Sequence, residues 1–196
     1  MRCVLCEAWV RPFNLVCARC NSLLEPQILV RKVEGVAIYG FYCYEEIEIL
    51  LKSKYDDIGS RLLALLARKA RLAFQTRVRP NLNLPNPLYG IALDDTIKRA
   101  YAPTAVILRQ FCQQSTFKPL YYKLSATKPI TYAGQSLAFR QSHTKDFVYR
   151  GKSPLECFVV DDIFTTGTTM QQALQTLARA QVRVCFGVVL AHTSKH

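Results

Sequence analysis

The chain has 196 residues, half of them apolar and 11% aromatic, which is enough for one packed domain plus a small appendage and excludes global disorder. Its net charge of +12 favours polyanionic partners: nucleic acid, phosphorylated ligands or an anionic membrane surface. No run reaches the roughly 18 apolar residues of a membrane span, and "MRCVLCEAW" lacks the apolar core of a signal peptide, so the expected location is the cytoplasm, with a basic surface that also suits the inner face of its membrane.

Residues 1–24 carry two Cys-x-x-Cys knuckles, Cys3 with Cys6 and Cys17 with Cys20, separated by ten residues. Each knuckle turns two thiolates toward one ion, and together they supply four sulfurs for a closed tetrahedral zinc (Zn2+) site. A closed site leaves no position for water, so its expected role is structural: it holds a segment too short to build its own core. Trp9 and Phe13, between the knuckles, are expected to pack on the main domain, with stacking on a base as the alternative. Cys43, Cys112, Cys157 and Cys185 stand in apolar company and read as small core residues.

Residues 25–34 read as a linker, and residues 35–196 as one larger domain. "GVAIYGFYCY" (35–44) is rich in β-branched and aromatic residues and predicts a strand. Two helices follow over 45–55 and 57–74, the second with Leu62, Leu65, Leu66 and Leu72 as its apolar stripe and Arg61, Arg68, Lys69 and Arg71 interspersed. A Pro- and Asn-rich loop (79–88), a short strand (89–93), a loop "DDTIKRAYAP" and a helix (104–115) capped by Thr104 come next.

The stretch 116–153 shows few periodic signals. Seven basic residues, Lys118, Lys123, Lys128, Arg140, Lys145, Arg150 and Lys152, face one acid there, Asp146, and seven aromatics are interleaved: Phe117, Tyr121, Tyr122, Tyr132, Phe139, Phe147 and Tyr149. Charges that follow phosphates beside rings that stack on bases suit single-stranded DNA. The same residues equally describe rings in a core and charges on a solvated rim.

Strand "CFVV" (157–160), a helix over 168–180 and a final apolar strand (182–192) form a right-handed parallel unit, and their continuous apolar runs require a sheet covered on both faces. The expected fold class is therefore α/β, a parallel sheet flanked by helices behind the small zinc-binding module. Between strand and helix lies "DDIFTTGTT". The N–H groups that open a helix, threonine hydroxyls and the freedom of Gly167 make a phosphate cradle, and the absence of Gly-Lys-Ser/Thr excludes a nucleotide-triphosphate P-loop. Asp161 and Asp162 are poor neighbours for a bare phosphate, but they accept hydrogen bonds from sugar hydroxyls and sit well near magnesium (Mg2+). One phosphate and a ribose together describe a ribose 5-phosphate.

"FVVDDIFTTGTT" resembles the signature of the type I phosphoribosyltransferases. The resemblance implies that the loop binds the 5-phosphate of phosphoribosyl pyrophosphate (PRPP) while the acidic pair holds the ribose hydroxyls, a role carried over to Asp161, Asp162, Thr165, Thr166, Gly167, Thr168 and Thr169. With the four-cysteine module in front, and with "LLKSKYDDIGSRLLALLARKA" and "AGQSLAFRQSHTKDF" in agreement, essentially the whole chain resembles the ComF (ComFC) competence proteins. That implies a role in natural transformation, with single-stranded DNA, a PRPP-type ligand accompanied by Mg2+, and a helicase or membrane translocation protein as partners. The pattern departs at "KRAYAP", where the family shows Arg-Gly-Phe-Asn-Gln, leaving Lys98 and Arg99 as candidates for the pyrophosphate end. Three functions stay open: a DNA-handling protein, a phosphoribosyltransferase with an unnamed acceptor, and a PRPP-responsive scaffold without catalysis.

Overall fold

The computed structural model describes residues 1–56, 58–94, 101–113, 115–128 and 145–193. Cys157–Val160 and Phe186–Ala191 present no polar face, and both runs become strand interiors closed off from solvent. They belong to a seven-stranded sheet made of β1 (Leu29–Val33), β2 (Val36–Cys43), β3 (Leu88–Asp94), β4 (Phe117–Ala126), β5 (Phe147–Tyr149), β6 (Leu155–Phe164) and β7 (Val182–His192). The spatial order is β1-β2-β7-β6-β3-β4-β5. The five inner strands are parallel, and β1 and β5 add antiparallel edges.

Helices α2 (Tyr44–Lys52), α3 (Gly59–Arg77), α4 (Pro103–Cys112) and α5 (Thr168–Arg179) flank this sheet, and α1 (Ala18–Leu23) lies in the cysteine module. On one face, Phe74 of α3 and Phe111 of α4 meet Phe41, Phe158 and Phe186, with the Phe74 and Phe158 rings stacked on Phe186 at 5.0 and 5.2 Å. On the other, Met170, Ala173, Leu174 and Leu177 of α5 cover Ile91, Val159 and Val189. Each large apolar side chain buried this way contributes roughly 1.5–3 kcal/mol. The expected parallel sheet with helices on both faces, behind a four-cysteine cluster, is what the chain forms.

Several local expectations are corrected. Residues 29–33, read as part of a linker, form β1, which hydrogen-bonds along β2 through a tight turn at Glu34 and Gly35. Leu62 and Leu66 are buried as expected, but Leu72 is half exposed, and Leu63, Ala67, Ala70 and Phe74 complete the inner stripe of α3. Thr104 does not cap α4: Ala102 occupies that position, Pro103 opens the helix, and the Thr104 hydroxyl donates to Asp94 Oδ1 at 3.1 Å. The aperiodic stretch contains β4 and β5. Pro119 fits in β4 because β5 pairs only with Leu124–Ala126, and a bulge at Tyr121–Lys123 breaks the alternation. Trp9 and Phe13 do not pack on the domain: they are 78% and 82% exposed, Trp9 in a bridge with Arg2 and Phe13 in a left-handed turn at φ 74°.

Candidate functional site

In the N-terminal module the ligand atoms of Cys3, Cys6, Cys17 and Cys20 lie within 4.8 Å of one another. The Cys6 and Cys17 sulfurs are 3.6 Å apart, close to the edge of a tetrahedron with metal–sulfur bonds of about 2.3 Å. Backbone geometry prepares the thiolates: Cys17 N–H donates to Cys3 Sγ at 3.3 Å, and Cys17, at the N-cap of α1, accepts from Cys20 N–H at 3.4 Å. Burial opposes ionisation of Cys3, but the N–H groups of Cys17, Leu5 and Cys6 outweigh it and bring the thiol down to about 6. Hydrogen bonding with Cys6, burial and the other two thiols push Cys20 up to about 12. The four-sulfur donor set fits zinc. The module docks on α3 through Leu15, Val16 and Leu24, and through Arg61 to Phe13 O and Lys69 to Asn21 O.

At the carboxyl end of β6 the chain brings together the residues expected for a phosphate and a ribose. Gly167, at φ 79°, is the N-cap of α5 and brings no side-chain cap of its own. A Cβ there would stand 2.8 Å from Phe164 Cζ, so both conformation and space require glycine. Thr166 and Thr168 share a hydrogen bond of 3.0 Å across it. The turn between β1 and β2 leans on the cradle: Glu34 Oε1 accepts from Gln171 and Gln175 Nε2 at 2.7 and 3.1 Å, tying α5 to the sheet edge.

Asp161 and Asp162 close the other side of the loop. Asp162 N–H donates to Asp161 Oδ1 at 2.8 Å. Burial and the neighbouring Asp162 charge push Asp161 up to about 8. Burial also opposes ionisation of Asp162, but the Lys54 ammonium, bonded to its Oδ2, outweighs it and holds this carboxyl below its ordinary range. The neighbouring charges thus push the two carboxyls in opposite directions, Asp161 up and Asp162 down.

Two lysines at the pair were not read as pocket residues in the sequence. Lys54, from the 3-10 turn Ser53–Tyr55, reaches the carboxylates from the α2–α3 side. Lys145, expected on a DNA surface, is buried, its backbone N–H bonded to Gln172 Oε1 of α5 at 3.0 Å, and its charge favours ionisation of both aspartates. Tertiary approach alone brings these cations in, so no local pattern announces them. Of the remaining basic candidates, Lys118, Arg150 and Lys152 are exposed, Lys123 is half-buried, and Lys128 is ion-paired with Asp146. Tyr121 and Tyr122 are exposed beside them on β4, while Phe117 and Phe147 are buried. Lys98, Arg99, Arg140, Tyr132 and Phe139 lie outside the described residues.

No family model and no curated protein matches the chain. Among solved structures it is similar to the UMP synthase of Leishmania donovani, at 15% identity over 73% of this chain and 24% of that one, with a TM-score of 0.39. It is similar to a hypoxanthine phosphoribosyltransferase from Staphylococcus aureus, at 10% identity over 66% of this chain and 61% of that one (TM-score 0.34). A hypoxanthine phosphoribosyl transferase of Trypanosoma cruzi shows 16% identity over 85% of this chain and 68% of that one, with a TM-score of 0.35. The chain thus spans less than two thirds of the first two proteins, and at these TM-scores the likenesses do not decide what the chain binds.

Proposed function

We propose that the pocket at the end of β6 binds a phosphoribosyl ligand of the PRPP type. The observation that carries this is the juxtaposition of a left-handed glycine at the N-terminus of α5 with a half-buried pair of adjacent carboxylates at the end of β6. The helix end takes the 5-phosphate, with Thr165, Thr166, Thr168 and Thr169 adding donors. Asp162 and Asp161 are placed to hydrogen-bond the ribose hydroxyls. Magnesium bound with the ligand would offset the charge of a departing pyrophosphate. Calorimetric titration with PRPP and magnesium tests the reading. Binding that Asp162→Asn weakens supports it, and wild-type protein that binds neither PRPP nor ribose 5-phosphate refutes it. Turnover with a nitrogenous acceptor, suppressed in the same variant, would add transferase activity to binding; binding without turnover would leave a PRPP-responsive scaffold.

A second reading concerns single-stranded DNA handling in natural transformation, in the cytoplasm or at the inner face of its membrane beside a helicase or translocation protein. Exposed Lys118, Arg150 and Lys152 beside the exposed rings of Tyr121 and Tyr122 favour it. Oligonucleotide binding at two salt concentrations tests it. Replacing Lys118, Arg150 and Lys152 together lowers the salt slope if they hold phosphates. An unchanged slope puts the DNA elsewhere, and no binding at low salt removes the reading.

A further inference from the structure

Lys54 lies 108 positions from Asp162 in the chain, yet their side chains form an ion pair in which each is less than a fifth exposed. The backbone that presents Lys54 is fixed. Tyr101 Oη donates to Lys54 O at 2.6 Å, Ser53 Oγ donates to Leu50 O at 2.6 Å, and Asp56 N–H donates to Ser53 O at 2.7 Å. Gly59 closes the turn so tightly that a Cβ would stand 2.0 Å from Ser53 O. The four-carbon stem of Lys54, by contrast, ends in three rotatable donors. A fixed base carrying a swinging ammonium is suited to exchanging one anion for another.

We propose that Lys54 is a specificity-determining, exchangeable counter-ion: it holds Asp162 in the free protein and passes to an anionic group on C1 of the sugar when a ligand binds. This rests on the phosphoribosyl reading above. Ribose hydroxyls that hydrogen-bond to Asp162 compete with the ammonium for the same carboxylate. An ammonium this shielded from water leaves a carboxylate more readily when the ligand supplies another anion. The 5-phosphate cannot serve. It sits in the cradle that opens α5, on the sheet face covered by α5, whereas Lys54 enters from the face covered by α3 and α4. The C1 substituent extends past the carboxylates away from the cradle, and a pyrophosphate there meets the ammonium. A bare ribose 5-phosphate offers no such group, so the same lysine that welcomes the pyrophosphorylated sugar disfavours its hydrolysis product.

Calorimetric titration of PRPP and of ribose 5-phosphate, each with magnesium, against wild type, Lys54→Met and Lys54→Arg tests this. Lys54→Met should reduce the preference for PRPP over ribose 5-phosphate about tenfold or more, the scale of one charge-assisted contact. Ribose 5-phosphate affinity should stay constant or tighten, since its competitor at Asp162 is gone. Lys54→Arg should restore most of the preference. An unchanged ratio in Lys54→Met overturns the role of Lys54 while leaving the phosphoribosyl pocket standing. Equal weakening of both ligands overturns it too, because it marks Lys54 as a mere prop of the pocket. Thermal melting of each variant shows that the comparison is made between folded proteins, and Lys54→Gln replaces the methionine variant if that one melts early.

Discussion

The cysteine module and the sheet domain are held by different forces. In residues 1–24 the buried groups are two of the cysteines plus Leu15, Val16 and Leu24, and the rings available for packing, Trp9 and Phe13, face solvent. In the sheet domain whole strand runs and the inner faces of α3, α4 and α5 are closed off, with phenylalanines stacked between layers. The short segment has little core beside a four-cysteine cluster that could hold a metal ion, whereas the long one buries apolar area on both sides of a sheet.

The largest effect is expected from disabling the candidate metal site. Chelation, or Cys17→Ser, should strip residues 1–24 of amide hydrogen-exchange protection while β6 and β7 stay protected; loss of protection in both would mean the sheet depends on the module. Truncating Phe186 to Ala should do the reverse, lowering the denaturant stability of the domain by about 3–5 kcal/mol and leaving metal affinity intact. Acidity separates the regions more gently. Between about pH 4 and 8 the folded chain keeps a proton on Asp161 that the unfolded chain has released, so stability falls as pH rises across that window. Asp161→Asn should flatten this slope in pH-dependent melts, and a slope that persists would assign it to another group. The smallest effect is expected at the seam. Arg61→Ala removes one hydrogen bond to Phe13 O and should cost about 1 kcal/mol or less in denaturant melts.

What was legible in the chain divides along similar lines. The β6–cradle–α5 unit could be read because continuous apolar residues, a glycine and a helical stripe sit in sequence order. The four ligands of the module could be read because knuckle spacing is itself the geometry. β4 escaped because Pro119 and the bulge at Tyr121–Lys123 erase the period of two, and β1 because a short edge strand with Arg31 and Lys32 looks like a linker. Lys54 and Lys145 escaped for a deeper reason. Their placement arises only when the turn after α2 and the segment before β5 approach the end of β6, and the pairing that lowers the Asp162 carboxyl exists in no local window.

The exposed position of Trp9 has an optical consequence. It is the chain's single tryptophan, it lies in the cysteine module, and the Arg2 guanidinium sits 5.5 Å from its ring centre. Emission excited at the red edge of the aromatic band therefore comes from the module alone, while the ten tyrosines lie outside it and dominate at shorter wavelengths. One cuvette, read at two excitation wavelengths, follows the two halves of the molecule separately without any label.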